Sequence, residues 1–271
     1  AVGAGEVEMQ VRAVGLNFRD VLLVLGEYPG PSEPPGSDCS GSVSAVAEAS
    51  NFGKRDELFG FAPGCLSCFV RARAHERHLT LRPPATSASN ACTLPATWTT
   101  VHEVSGRAHL RGRQSFLLHA ATGGVGLVAV EYVGWLSVQI VASAGQAHKH
   151  RHLHSLGVAT RCSSREAGAF AYSSLHHLAC ARLGGACNSL VGDFVPTSVA
   201  LLSDGSSFQE IGKRGAWSVP RLAVASAAIP SMLDMAAEIQ ENLQWFNGLL
   251  RKLASRLQSG VVHGLPATQF C

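Results

Sequence analysis

The stretch Phe116-Leu117-Leu118-His119-Ala120-Ala121-Thr122-Gly123-Gly124-Val125-Gly126 decides the fold. A short apolar strand runs straight into a glycine-rich turn, and an apolar helical pattern follows from Leu127 through Val133. Strand, tight turn and helix N-terminus in that order suit a dinucleotide pyrophosphate. Small residues let the backbone come close, and the first helical N–H groups point at the phosphates. The spacing, Ala120-x-x-Gly123-x-x-Gly126, is a variant of the usual G-x-G-x-x-G. Such turns also serve helix–strand packing alone. The flanking strand and helix are what turn the reading toward a nucleotide.

Outward from this turn the chain alternates. Strands are expected at 115–120, 138–143, 158–162 and 207–211, and helices at 125–135, 147–156, 166–182 and 193–202. That alternation argues for a parallel, doubly wound sheet. The N-terminal part differs. Residues 6–16 alternate like a half-buried strand, 18–25 form a short helix ending at Gly26, and 29–36 are a Pro/Gly loop. Residues 37–48 and 58–62 are strands, 63–64 a turn, and 70–81 a strand pair or a strand with a short helix. Pro83-Pro84 marks a break, and 87–105 is helical. The segment 232–258 carries Met235, Ile239, Leu243, Phe246, Leu250, Leu253 and Leu257 at helical spacing, the pattern of a helix packed on a core.

The bulk composition narrows the function classes. With 271 residues and 46% hydrophobic content, the chain can bury a real core or two. Its 22 Lys and Arg against 19 Asp and Glu leave a net charge of +3, too mild to suggest nucleic acid as a partner. No apolar stretch has bilayer length, because Gly123, Gly124, Gly126, Glu131 and Gln139 break the most apolar region. The eight cysteines are scattered, as reduced thiols of a cytoplasmic protein would be. The chain begins at Ala1 and stops at Phe270-Cys271, where a strand pattern starts, so a piece of a longer protein is expected.

The second strand of such a sheet ends at the adenosine ribose, where an acid selects NAD and cations accommodate the 2′-phosphate of NADP. Here Val138 to Ala142 is followed by Ser143-Ala-Gly-Gln-Ala-His-Lys149-His-Arg151, with no acid. Ser143 offers a hydroxyl and Lys149 and Arg151 offer charge, which favours NADPH. An ordinary solvated helix face also explains the two cations. Histidines 148, 150, 152 and 154 pair on helix faces but lack a third ligand nearby, and Cys65-x-x-Cys68 has no second pair, so no metal is expected. A G-x-S-x-G elbow, a Walker A loop and an H-E-x-x-H pair are all missing.

The chain resembles the enoyl reductase domains of modular polyketide synthases and fatty-acid synthases. These form part of the zinc-free, quinone-oxidoreductase-like branch of the medium-chain dehydrogenase/reductases. The resemblance rests on Val11-Arg-Ala-Val-Gly-Leu-Asn-Phe-Arg-Asp20, Gly26-Glu-Tyr-Pro-Gly30, Pro35-Gly-Ser-Asp-Cys-Ser-Gly41 and Phe61-Ala-Pro-Gly-Cys65. It continues through Thr93-Leu-Pro95, His119-Ala-Ala-Thr-Gly-Gly-Val-Gly126, Asn188-Ser-Leu190 and Glu210-Ile-Gly-Lys-Arg214. It implies an α/β protein: a GroES-like β-barrel domain over 1–95, completed by 259–271, and a Rossmann-type NADPH-binding domain over 96–258. It implies reduction of a trans-2-enoyl thioester held on an acyl carrier protein, beside neighbouring synthase domains. A homodimer is left open.

By motif position the resemblance implies Asn17 and Thr100 near the nicotinamide, and Gly123, Gly124, Val125 and Gly126 on the pyrophosphate. Gly212, Lys213 and Arg214 join the cofactor set. Tyr28 matches a position linked to α-carbon protonation, or is a loop aromatic packed between Gly26 and Pro29. Lys149 matches a lysine seen both as proton donor and as 2′-phosphate ligand; the phosphate role is preferred, with Ser143 at the end of the same strand. Two departures stand out. The acid expected after Ser163-Ser164-Arg165 is replaced by Gly168-Ala169, leaving Glu166 as the nearby substitute. The strand before Asn188 reads Leu183-Gly-Gly-Ala-Cys187, and paired glycines weaken a central strand. An inactive remnant of such a domain, or a free-standing quinone or enone reductase, are the alternatives.

Overall fold

The computed structural model describes residues 2–3, 5–47, 50–73, 78–179 and 181–270. The chain divides into two compact units, Ala1–Thr99 with Met235–Cys271, and Thr100–Asp234.

The first unit holds β1 (Glu6–Gly15), α1 (Phe18–Val24), β2 (Asp38–Val46), β3 (Glu57–Phe61), β4 (Phe69–Arg73), β5 (Leu79–Leu81) and α2 (Ala88–Ala91). Its five strands form an antiparallel sheet in the order β4-β1-β2-β3-β5. Val7, Met9, Cys39, Val43, Leu58 and Leu79 fill its core. The alternation in 6–16 thus becomes one face of β1, as period-2 patterning dictates. The stretch 70–81 holds two strands, β4 and β5, and residues 74–77 between them lie outside the described residues. The helical stretch expected at 87–105 is two helices. The Ser87 Oγ accepts from Asn90 N to start α2, and Pro95 opens α3 (Pro95–Arg107).

The second unit alternates: β6 (Ser115–Leu118), α4 (Gly124–Trp135), β7 (Gln139–Ala144), α5 (Ala147–Ser155), β8 (Thr160–Ser163), α6 (Ala167–Leu178), β9 (Leu183–Asn188), α7 (Phe194–Ala200), β10 (Leu202–Glu210), α8 (Val219–Ala225) and β11 (Ile229–Met232). All six strands are parallel, in the order β11-β10-β9-β6-β7-β8. Read from β6 this is the doubly wound order, with its switch point between β6 and β9. Leu117, Val141, Cys162, Phe170, Ala186 and Phe208 belong to its core.

Three differences from the sequence reading have physical causes. β9 forms a central strand despite Gly184 and Gly185, because neighbours take the space their side chains would fill. A Cβ on Gly184 would meet the Gln114 side chain at 3.1 Å, and one on Gly185 the Phe116 ring at 3.1 Å. α8 and β11 carry too little periodicity to be read alone and take shape against β10. The 232–258 helix is α9 (Met235–Glu241) and α10 (Leu243–Gln258), split where Asn242 Oδ1 accepts from Trp245 N at 3.0 Å. Both join the first unit, so the chain returns at Met235, whereas the sequence reading set the return at 259. Phe246 and Leu250 are buried there beside Phe61, and Leu265 N donates to Thr93 Oγ1 at 3.0 Å.

Candidate active site

In the second unit, β6 runs out at Leu118 and the turn closes through Gly123 N to Ala120 O at 2.8 Å. Ala120 stands at φ +48°, the left-handed region that glycine favours. A Cβ on Gly126 would lie 2.5 Å from the Ala121 carbonyl carbon and 2.6 Å from Ala120 O, so α4 can sit on the turn only with glycine there. The first intrahelical bond is Leu127 N to Gly123 O, at 2.8 Å, which leaves the N–H groups of Gly124, Val125 and Gly126 outside the helical ladder. No side chain caps them, and Gly123 and Gly124 are exposed. Three free donors at a positive helix end, on a backbone bared by glycine, fit a dinucleotide pyrophosphate.

Ser143 takes a different part from the one assigned by sequence. It is fully buried, and its hydroxyl lies 2.8 Å from His119 Nδ1. His119 Nε2 meets Ser198 Oγ at 2.8 Å, and Ser198 donates its own proton to Phe194 O at 2.6 Å. Ser198 can then only accept from His119, so Nε2 carries the proton and Ser143 donates to Nδ1. Burial pushes the His119 pKa down to about 3, which keeps the ring neutral. The Ser143 hydroxyl is spent inside the fold, on His119 rather than toward solvent.

Arg165, which the sequence reading passed over, stands at the end of β7 instead. A Cβ on Gly145 would lie 2.6 Å from Arg165 Nε and 3.2 Å from Ser164 Oγ. The parallel pairing of Ala144 with Ser163 brings this segment alongside Gly145. That adjacency was invisible in sequence, because β7 and β8 meet only in the sheet. Lys149 is half-buried in the first turn of α5, a cation at the positive end of a helix, while Arg151 is exposed. An anion at that end would relieve the mismatch.

Gly212, Lys213 and Arg214 follow the C-terminal end of β10. Gly212 N donates to Glu210 Oε1 at 2.7 Å, and Lys213 Nζ pairs with Asp234 Oδ1 at 2.7 Å. Glu210 is itself buried and accepts from Asn188 Nδ2 at 2.7 Å; burial raises its pKa. Arg214 is exposed, and Thr100 is nearly buried within α3.

Asn17 and Tyr28 lie in the first unit. Asn17 opens α1, and its backbone N–H donates to Asp20 Oδ2 at 2.7 Å. Asp20 Oδ1 accepts from Gly36 N at 2.9 Å, strapping the helix start to the Pro35-Gly36 loop. Asn17 Nδ2 donates to Asp38 Oδ2 at 3.1 Å. The Tyr28 ring is half-buried, with the Arg19 guanidinium 5.0 Å from its centre, and a Cβ on Gly30 would touch the ring at 2.6 Å. Arg19 also donates to Ser37 Oγ and pairs with Glu33. Tyr28 is therefore a clamped side chain, packed between Arg19 and the Gly30 backbone.

Cys65 is buried and Cys68 exposed, and both are free thiols. Among the described residues no group of three or more His, Cys, Asp or Glu is placed to hold a metal ion.

The model of the alcohol dehydrogenase GroES-like domain matches residues 3–106. The solved CurK enoyl reductase shares 31% identity at a TM-score of 0.88, over 98% of this chain and 83% of that one. This chain belongs to the enoyl reductase domains of modular polyketide synthases. Like them it has the fold of the zinc-free medium-chain dehydrogenase/reductases. Erythronolide synthase EryA2 of Saccharopolyspora erythraea is 37% identical over 214 residues, or 78% of this chain. The spectinabilin synthase protein NorB of Streptomyces orinoci is 34% identical over 228 residues, or 81%. The enoyl reductase chain spans only 6% of the first and 10% of the second. No described helix is long and apolar enough to cross a membrane.

Proposed function

We propose that this enoyl reductase domain uses NADPH to saturate the double bond of a trans-2-enoyl thioester. The substrate would be delivered by an acyl carrier protein and shared with neighbouring synthase domains. The observation that carries the reading is the turn between β6 and α4. Its uncapped N–H groups and glycine-bared backbone match a pyrophosphate, and Lys149 and Arg165 stand near the end of β7 with no acid between Ser143 and Arg151. When bound, NADPH supplies a hydride to the β-carbon.

The chain's residues then have separable tasks. Gly123 to Gly126 hold the pyrophosphate through α4, and Lys149 and Arg165 take the 2′-phosphate. Asn17 and Thr100 orient the nicotinamide. Tyr28, held by Arg19, delivers a proton to the α-carbon. Lys149 serves the phosphate rather than the proton, because a cation in the first turn of α5 is stabilised by an anion arriving there.

The test is loss of reduced-nicotinamide absorbance with a crotonyl thioester, with NADPH and NADH compared. Turnover that drops sharply with NADH supports the proposal. A chain that binds neither nucleotide overturns it.

A further inference from the structure

We propose that Asp38 is a positioning residue that sets the donor–acceptor sense of Asn17, so that Asn17 presents its carboxamide oxygen to the cofactor. The inference rests on the cofactor role proposed for Asn17. The register of β1 and β2 sets Asp38 opposite Gly15, close to Asn17 in the chain. Gly15 is needed for that approach, since a Cβ there would lie 2.0 Å from Cys92 O and 3.3 Å from Asp38 Cβ. Asp38 is 1% exposed, and its Oδ2 accepts from Asn17 Nδ2 at 3.1 Å and from Ala96 N at 2.9 Å.

The Asn17 Nδ2 also faces Gly15 O at 3.5 Å. Its two N–H groups thus point at a carboxylate and a carbonyl. With Asp38 ionised, a flipped amide would set Oδ1 against both acceptors, which is repulsive. Asn17 is half-buried and keeps only Oδ1 for a ligand, and the matching ligand group is an N–H or O–H donor. On a reduced nicotinamide nucleotide those donors are the carboxamide N–H and the ribose hydroxyls. Asp38 also anchors the first turn of α3, so an Asp38 variant must be read against stability.

The experiment is a double-mutant cycle on the 271-residue chain, read as NADPH affinity by fluorescence titration, with thermal melting run alongside. Asn17→Ala and Asp38→Ala are each expected to weaken binding about five- to tenfold, the scale of one lost hydrogen bond. Their combination should bind no worse than Asn17→Ala alone. Asp38→Asn, which keeps an acceptor facing Asn17, should stay within about twofold of wild type. Additive losses would overturn the proposal, because Asp38 would then act without Asn17. Should Asp38→Ala fail to fold, exchange of the Asn17 side-chain amide protons in the wild-type chain decides. Slow exchange supports the Asp38 contact, and exchange at the rate of a solvated amide overturns it. An acetylpyridine analogue, lacking the carboxamide N–H, separates the two donor sources. Loss of affinity in wild type but not in Asn17→Ala supports the carboxamide, and equal affinity supports the ribose. NADPH binding unaffected by Asn17→Ala would overturn this inference but leave the reductase reading standing. No NADPH binding by wild type would overturn that reading itself.

Discussion

Ser143 and Lys149 flank the end of β7 and have opposite fates. Both were plausible phosphate ligands in sequence, since a hydroxyl and an ammonium each suit a phosphate. Burial separates them: the Ser143 hydroxyl is spent on His119, while Lys149 stays half-buried at the start of α5. Lys149→Ala should therefore cut the NADPH-over-NADH ratio of kcat/KM by about tenfold or more, as loss of a charged contact does. Ser143→Ala should leave that ratio alone and cost about 1–3 kcal/mol in urea unfolding, because His119 Nδ1 loses its partner. A changed ratio in Ser143→Ala would restore its phosphate role. His119 adds a pH signature. The folded state keeps its ring neutral down to about pH 3, whereas the unfolded side chain takes a proton near 6.5. Between those values the unfolded chain binds more protons, so this contribution is full above 6.5 and is lost as pH falls toward 3. Asp38, pushed up to about 7 by burial, works the other way in its own unit: its ionisation costs stability as pH rises from 3.8 toward 7. Urea midpoints followed from pH 4 to pH 7 should flatten for the second unit in His119→Gln. An unchanged slope would mean that His119 is not held neutral.

At the scale of elements, the contact between α4 and its turn carries the most consequence. Gly126→Ala puts a methyl group 2.5 Å from backbone that cannot rotate away. It should cost about 1–3 kcal/mol of stability and abolish measurable NADPH binding, because α4 must lift off the turn. Unfolding and fluorescence titration check the two effects separately, and retained binding would show that the turn does not cradle the phosphates. The glycine spacing made this element legible from sequence, since close approach leaves a direct mark on residue choice. β9 left no such mark. Leu183-Gly-Gly-Ala-Cys187 lacks the apolar run of a central strand, and its place is secured by Gln114 and Phe116 from elsewhere. The split at Asn242 was equally hidden, because the apolar spacing of 232–258 passes through it unbroken. A single cap, Asn242 Oδ1 to Trp245 N, restarts the helix.

At the scale of the whole molecule, the chain leaves its first unit, builds the second, and comes back at Met235. α10 is integral to the first unit. Phe246 is fully buried, 6.3 Å from Phe61 and 6.1 Å from His78 between ring centres, and Asn247 Nδ2 reaches Leu79 O. A chain ended at Asp234 should lose amide protection in β3 and β5 while β6 and β7 keep theirs, because the second unit has its own core. Hydrogen exchange reads this directly, and full protection in β3 would show that α10 is dispensable. The amino-acid sequence by itself determined the α/β class, the parallel alternation of the second unit, the glycine turn after β6 and the family. These rest on local periodicity, on closely spaced glycines and on short motifs spread along the chain. Only the tertiary structure decided that Ser143 faces inward, that Arg165 lies across Gly145, that Asp38 holds Asn17, and that the chain returns at Met235. Each depends on residues far apart in sequence meeting through strand register or core packing, which no single segment encodes.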